Sequence, residues 1–382
     1  MSDTLRDSNT TVIERSAQEV KQYARRRYAL FGAHLVMGVA FLAAMLLGGS
    51  EVVAGAAREL AGPGRDLLSV FYYFAGFSLA YLLVTLPLTF YRGYVLEHQF
   101  GLSTQTLGRW ARRRLRKWVF SFLIAAPLVL VFYAMLRAWP RGWWLPASVV
   151  WLFVSYVLAR FAPQILIPLF YTLEPVGDER LSARLSELAK QAGVRLLGVC
   201  RIDLSRETKK ANAAVVGLGS TRKVVLGDTL LSRFTREEIA VVFAHELGHI
   251  VHADLVKGFA LAAGLFSGSL YAGSAVLEHA ASALGIGAVH DPRTLPILIA
   301  VMAGIQLLVM PFEKWYSRRR ELASDAYALR ATGDRSAFIS AMKKLGALNL
   351  ADVRPNRLAE IFLFSHPPIW KRIRFAERFE LS

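Results

Sequence analysis

The stretch 241-VVFAHELGHIVHADLVKGFALAAGLF-266 decides how the chain is read. Three histidines and a glutamate sit in its first half, and an apolar run follows. Upstream, Thr235 is followed three residues later by Glu238, a capping box that predicts a helix start. His245, Glu246 and His249 then spell H-E-x-x-H on that helix. Histidines four apart share one helical face and can hold one zinc ion. Glu246, one residue on, can reach a water on that ion and take its proton. His252 stands a further turn along, too far to close a tetrahedron easily, and reads as solvated or as a supporting residue.

The apolar run is one of several. The chain has 382 residues, 54% of them hydrophobic, and a formal net charge of +17. Blocks 28–49, 67–91, 118–136, 258–277 and 294–312 contain no Asp, Glu, Lys or Arg. A sixth, 142–159, continues past Arg160 into 161–173. A bilayer core of about 30 Å needs roughly 20 helical residues, so each block predicts a membrane span. Six such runs are hard to bury in one soluble domain. The first is preceded by about 27 polar residues and lacks a clear cleavage site, so it reads as a retained anchor.

Basic residues set the expected orientation. They crowd residues 1–27 and the loop after the second span, which carries Arg92, Arg109, Arg112, Arg113, Arg114, Arg116 and Lys117. The alternate loops are poorer in them. Both termini and the site are therefore expected on the cytoplasmic side of a bacterial inner (plasma) membrane. The positive charge then fixes topology and meets anionic lipid. Nucleic-acid binding is a competing reading of such charge, but no nucleic-acid motif accompanies it. Cys200 is the only cysteine, which excludes internal disulfides and multi-thiolate metal sites.

The expected fold is a predominantly α-helical polytopic membrane protein of about six transmembrane helices, with a cytoplasmic α+β zinc-peptidase domain. Its segments are a cytoplasmic N-terminal 1–27, a membrane domain 28–173 with a cytoplasmic loop 92–117, and a catalytic segment 174–257. Two more spans in 258–315 and a cytoplasmic helical segment 316–382 follow. Within the catalytic segment, 178–194 has helical spacing and 195–204 reads as a strand. Residues 212–231 read as two short strands around a Gly219–Thr221 turn. Gly264 and Gly268 permit close helix packing, within the chain or between copies.

A catalytic zinc wants a third protein ligand. Glu321 and Asp325, four apart, lie beyond the last span. His249 precedes Gly258 by nine residues, and Glu321 follows Phe312 by nine. If both helices continue unbroken, both groups stand about 13–14 Å above the apolar edge. Glu321 is thus the candidate third ligand, against a surface partnership with Arg318 or Arg320. Asp325 either orients a ligand histidine or is a solvated helix residue.

The ordered set of motifs resembles the integral-membrane zinc endopeptidases typified by CAAX prenyl protease 1. It comprises YRGYVLEHQFGLSTQT (91–106), APQILIPLFYTLEPV (162–176), ANAAVVGLGSTRKVVLGDTLL (211–231), HELGH (245–249), RRRELASDAYA (318–328) and SHPPIWKRI (365–373). The resemblance implies one zinc per chain on His245, His249 and Glu321, with Glu246 as general base. It implies that Asp325 is a second acidic residue, that Asn212 lies near substrate, and that His366 helps stabilise the oxyanion. Arg372 matches an arginine after the His-Pro-Pro motif. Six spans are counted here, whereas that family is usually given seven. The expected activity is hydrolysis of peptide or protein substrates, membrane-associated, unfolded or lipid-modified, next to membrane lipids. A site-2-type intramembrane protease is the second enzyme reading, disfavoured because 294–312 holds no acidic residue. A zinc-stabilised membrane scaffold or transporter is the non-enzyme reading, and Glu246 argues against it.

Overall fold

The computed structural model describes residues 17–161, 164–165, 167–217 and 221–380. Among the described residues, six helical segments are long and apolar enough to cross a membrane: Ala17–Ala61, Asp66–Gln99, Leu107–Ala138, Trp144–Phe161, Asp254–Ala283 and Pro292–Thr332. Each overlaps one of the six apolar blocks, and five contain theirs whole. Their outward faces carry large apolar side chains such as Leu47 and Leu308, 88% and 82% exposed, as a lipid-solvated surface requires.

The first segment is α1 (Ala17–Ala44) and α2 (Ser50–Ala61), joined by a wide turn in which Gly48 takes φ 138°. It is followed by α3 (Asp66–Phe90), α4 (Leu107–Ala138) and α5 (Trp144–Phe161). Helix extends well beyond the apolar blocks on the polar side. Residues 17–27, expected as a separate N-terminal segment, belong to α1, and the expected loop 92–117 contracts to a link around 100–106. Tyr23 explains part of this. It is fully buried, donates to Glu97 (2.6 Å) and accepts from Lys210 Nζ (2.9 Å), tying α1 to the catalytic segment.

A four-stranded sheet follows. β1 (Leu173–Pro175) was not foreseen; the run expected to continue the fourth apolar block to residue 173 ends in this strand instead. Helix α6 (Glu179–Gln191) leads to β2 (Gly198–Ile202), then β3 (Ala213–Val216) and β4 (Lys223–Gly227). The order is β1-β2-β4-β3, with β2 and β4 parallel and the outer pairs antiparallel. β3 is therefore an edge. Of the expected Gly219–Thr221 turn, Gly219 and Ser220 lie outside the described residues.

The sheet and α6 pack on α7 (Arg236–Val251), the motif helix, through Val224, Leu226, Ile239, Phe243 and Leu247. Each fully buried apolar side chain of this size contributes about 1.5–3 kcal/mol. The other side of α7 meets α9 (Leu295–Thr332), α10 (Arg335–Leu348) and α12 (Ile369–Arg378) through Val241, Ala244, Ala328 and Phe338. Between α10 and α12 lies α11 (Arg357–Leu363). Burial on both sides immobilises α7.

The motif helix does not run unbroken into its span. α7 ends at Val251, Ala253 adopts left-handed φ 56°, and the fifth span, α8 (Asp254–Ala283), starts immediately after it. This corrects the expectation of a continuous helix: residues 249–258 hold no proline, yet one left-handed residue, Ala253, ends α7. α9, by contrast, runs continuously from the membrane block through Glu321 and Asp325.

Candidate metal centre

Capping aligns the motif helix. Thr235 N donates to Glu238 Oε2 (2.8 Å), and Glu238 N donates to Thr235 Oγ1 (3.3 Å). Glu238 is further held by Lys344 (2.7 Å) and Ser340 (2.6 Å) of α10. Two turns on, His245 and His249 bring their Nε2 atoms to 3.2 Å. Glu321 of α9 completes the group: Oε2 lies 3.3 Å from His245 Nε2, and Oε1 lies 3.6 Å from His249 Nε2. One ligand atom from each of the three falls within 4.8 Å of the others.

Gly248 permits this approach. A Cβ there would lie 3.0 Å from Ser324 Cα and 3.1 Å from Ser324 Cβ on α9. Gly248→Ala is expected to push α7 and α9 apart, cost about 1–3 kcal/mol by overpacking, and weaken metal retention. Thermal unfolding with and without added zinc checks both effects.

The hydrogen bonds around the histidines fix what the centre can hold. His245 Nδ1 lies 2.9 Å from Asp325 Oδ1, and His249 Nδ1 lies 2.8 Å from Asp254 Oδ2. An ionised carboxylate only accepts, so each Nδ1 must be the donor. In the neutral rings both Nε2 lone pairs then point at one another, an arrangement that needs a cation between them. Glu321 Oε2 is buried and accepts no hydrogen bond among the described residues, although His366 Nδ1 is 2.7 Å away. Two nitrogens and a buried carboxylate oxygen thus converge on one point, and they fit a divalent metal.

Formal charge agrees. Glu246, Asp254, Glu321 and Asp325 are countered by Arg320 and Arg372, leaving −2 with neutral histidines. Without an ion a proton takes the place: burial alone would lower the His245 pKa, but the Asp325 and Glu321 carboxylates outweigh it and raise it to about 9.

Each histidine therefore has its own carboxylate–guanidinium support. Arg372 grips Asp325 through Nε (2.8 Å) and Nη2 (2.5 Å), and Arg320 pairs with Asp254. Asp325 is fully buried, so the reading of it as a solvated helix residue falls. Asp254 was missed. Its signal was its position, five residues past His249, but only the break at Ala253 turns it back toward the imidazole. Ser324 Oγ also contacts His249 Nδ1 at 3.1 Å. Outer-layer partners of this kind typically alter metal affinity about 10–100-fold. Asp254→Asn is expected to lower zinc affinity within that range, measured by competition with a chromogenic chelator.

His252 is absent from the cluster; it caps α7, and its ring lies 6.1 Å from that of Tyr327. The reading of Glu321 as a surface partner also fails: it is buried, and Arg318 donates instead to the carbonyls of Glu360 (2.7 Å) and Phe364 (2.9 Å).

Glu246 lies beside the triad, with Oε2 accepting the Val215 N–H of edge strand β3 at 3.1 Å. Burial raises its pKa, against the pull of His245 and His249. A cleft of about 610 Å³ opens from this point, lined by His245, Glu246, Asn212, His366 and Arg372. Asn212 is exposed, and the side chain of His366 is 62% exposed. Asn349, which sequence reasoning also missed, holds the backbone just before β3. Its Oδ1 accepts from Ala211 N (2.9 Å), and its Nδ2 donates to Ala211 O (3.1 Å).

Six apolar stems below a helix-borne His-Glu-His and a buried carboxylate define a membrane metallopeptidase. Residues 175–380 match peptidase family M48, and residues 8–172 match the CAAX prenyl protease N-terminal module of five membrane helices. The chain belongs to peptidase family M48. In the described part of that N-terminal stretch four segments qualify as spans. The chain is 33% identical over 328 residues to the uncharacterized metalloprotease YhfN of Bacillus subtilis, covering 84% of this chain and 76% of the relative. It is 29% identical over 370 residues to CAAX prenyl protease 1 of Saccharomyces cerevisiae, covering 91% and 78%. The crystal structure of S. mikatae Ste24p superposes with a TM-score of 0.84 at 20% identity, covering 94% of this chain and 89% of that one. The polytopic helical fold with its small mixed sheet is thus shared.

Proposed function

We propose that the chain is a zinc-dependent endopeptidase that cleaves membrane-associated, unfolded or lipid-modified polypeptides at the cytoplasmic face of a bacterial inner membrane. The observation that carries the reading is the convergence of His245 Nε2, His249 Nε2 and buried Glu321 Oε2 beside Glu246 at a large cleft. A donor set of two imidazoles and one carboxylate suits zinc with an open position. Bound there, zinc would supply Lewis acidity, acidifying water and polarising a scissile carbonyl.

The chain's own groups do the remaining work. Glu246 takes the proton of the attacking water and passes it to the leaving amine. His366 donates from its exposed imidazole to the developing oxyanion. Asp325 and Arg372 hold His245 in one tautomer. Asn212 and the outer edge of β3 receive an extended substrate by strand addition. The edge is partly occupied, because the Val215 N–H already serves Glu246. Main-chain pairing favours relaxed sequence preference. Lipid-modified substrates enter on two grounds: the yeast relative is named a CAAX prenyl protease, and the cleft lies near the membrane stems.

The test is cleavage of a mixed peptide set, lipidated and plain, by detergent-purified protein. Products would be identified by mass spectrometry. Chelation should abolish cleavage and zinc should restore it. Cleavage that survives chelation, or no cleavage of any peptide, would contradict the reading.

A further inference from the structure

A second large groove, about 620 Å³, lies between α9 and α12, meeting the first cleft at Pro367 but lined by neither Glu321 nor Arg372. Trp315, Arg318, Arg319 and Leu322 line it from α9, and Lys371, Arg374, Phe375 and Arg378 from α12. Both sets follow the i, i+3, i+4, i+7 spacing of one helical face, so two amphipathic faces oppose each other across it.

Its charge is unbalanced. Five cations face one carboxylate, Glu360, which Lys371 already engages at 2.6 Å. Arg318 is spent on two carbonyls. Arg319 lies over the Trp315 ring at 4.6 Å. Among the described residues, Arg319, Arg374 and Arg378 have no carboxylate partner, and all three are exposed. The peptidase reading uses none of them.

The groove's height names its occupant. The charge-free block of α9 ends at Phe312, and Trp315 and Arg319 follow by three and seven residues. At helical rise they stand about 5–10 Å above the apolar edge, the depth of the headgroup layer. Leu308, Phe312, Trp315 and Arg319 form one stripe on α9, and the first three are exposed apolar residues. An acyl chain lying along Leu308 and Phe312 would deliver its headgroup to Trp315 and the three arginines. A tryptophan at that level is an interfacial anchor, and guanidiniums match phosphodiester oxygens.

We propose that this groove is a binding site for the headgroup of an anionic phospholipid. The bound phosphate would rest on Arg319, Arg374 and Arg378. It would brace α12, whose opposite face sends Arg372 to Asp325 behind the metal centre.

The full chain, purified in neutral detergent, would be loaded with equal phosphatidylglycerol and phosphatidylcholine, and retained lipid counted by native mass spectrometry. This readout is independent of peptidase activity. Wild type should retain phosphatidylglycerol preferentially. The variant R319A/R374A/R378A should lose about fivefold of that preference per arginine removed. Because all three are surface residues, folding should survive; the milder pair R319Q/R378Q is the second variant, expected to lose the same amount per residue. The charge-matched control R180A/R184A/K190A, three exposed cations of α6 in the catalytic segment, should keep the preference. Equal losses in test and control variants would show a diffuse charge effect and overturn the proposal, as would no preference in wild type. Added inorganic phosphate at constant ionic strength should not displace the lipid; if it does, the site takes soluble anions and the lipid assignment fails.

Discussion

Glu246→Gln is expected to lower peptide hydrolysis by about 10²–10⁴ while zinc content stays at the wild-type level, because general-base contributions lie in that range. The separation of effects is what the structure argues for. Glu246 is not among the three groups that can share one ion, and its carboxyl is held by the Val215 N–H instead. Glutamine preserves volume and can still meet that N–H through its amide oxygen, but it cannot take a proton. Turnover measured with matched metal analysis decides the matter. An active glutamine variant would place the base elsewhere, and a variant that has lost its zinc would make Glu246 a structural support.

Glu321→Ala is expected to do the opposite: metal is lost first and activity with it. Removing the carboxylate leaves two imidazoles whose Nε2 atoms sit 3.2 Å apart with no third donor. Outer-layer substitutions already cost about 10–100-fold in affinity, so loss of a ligand should exceed that range. The variant should also fail to gain thermal stability on zinc addition, since a ligand stabilises the fold only if the fold binds it. Glu321→Asp separates charge from reach. It keeps the carboxylate but withdraws it by one methylene, and should recover little.

Much of this centre was legible in the sequence because helical geometry is local. The capping box fixed where α7 starts, the four-residue spacing placed His245 and His249 on one face, and the same spacing linked Glu321 to Asp325. Partnership between α7 and α9 followed from their equal distances from the apolar edge. That argument pointed to Glu321, which the structure places beside the two histidines, through a premise that is half wrong, since α9 is continuous but α7 stops at Val251. The break at Ala253 is a tertiary event. The backbone accepts a left-handed residue there, and Asp254 then meets His249. No periodicity announces it. Asn349 was invisible for a similar reason: its partner, Ala211, is 138 residues away. Arg372 and Asn212 were found through the ordered motifs rather than their own chemistry, and Arg372 then proved to be buried against Asp325. Polar helix extensions above the bilayer, such as residues 17–27, were underestimated because apolar blocks mark only the lipid-solvated length of a helix.

The most direct measurement is X-ray absorption at the zinc edge on purified protein carrying one zinc per chain. The account predicts a first shell of nitrogen and oxygen only, at about 2.0–2.2 Å, with the outer scattering of two imidazoles. In Glu321→Ala that signal should vanish with the metal. A sulfur shell near 2.3 Å, for which Cys200 is the only thiolate in the chain, or an unchanged spectrum in Glu321→Ala, would contradict it.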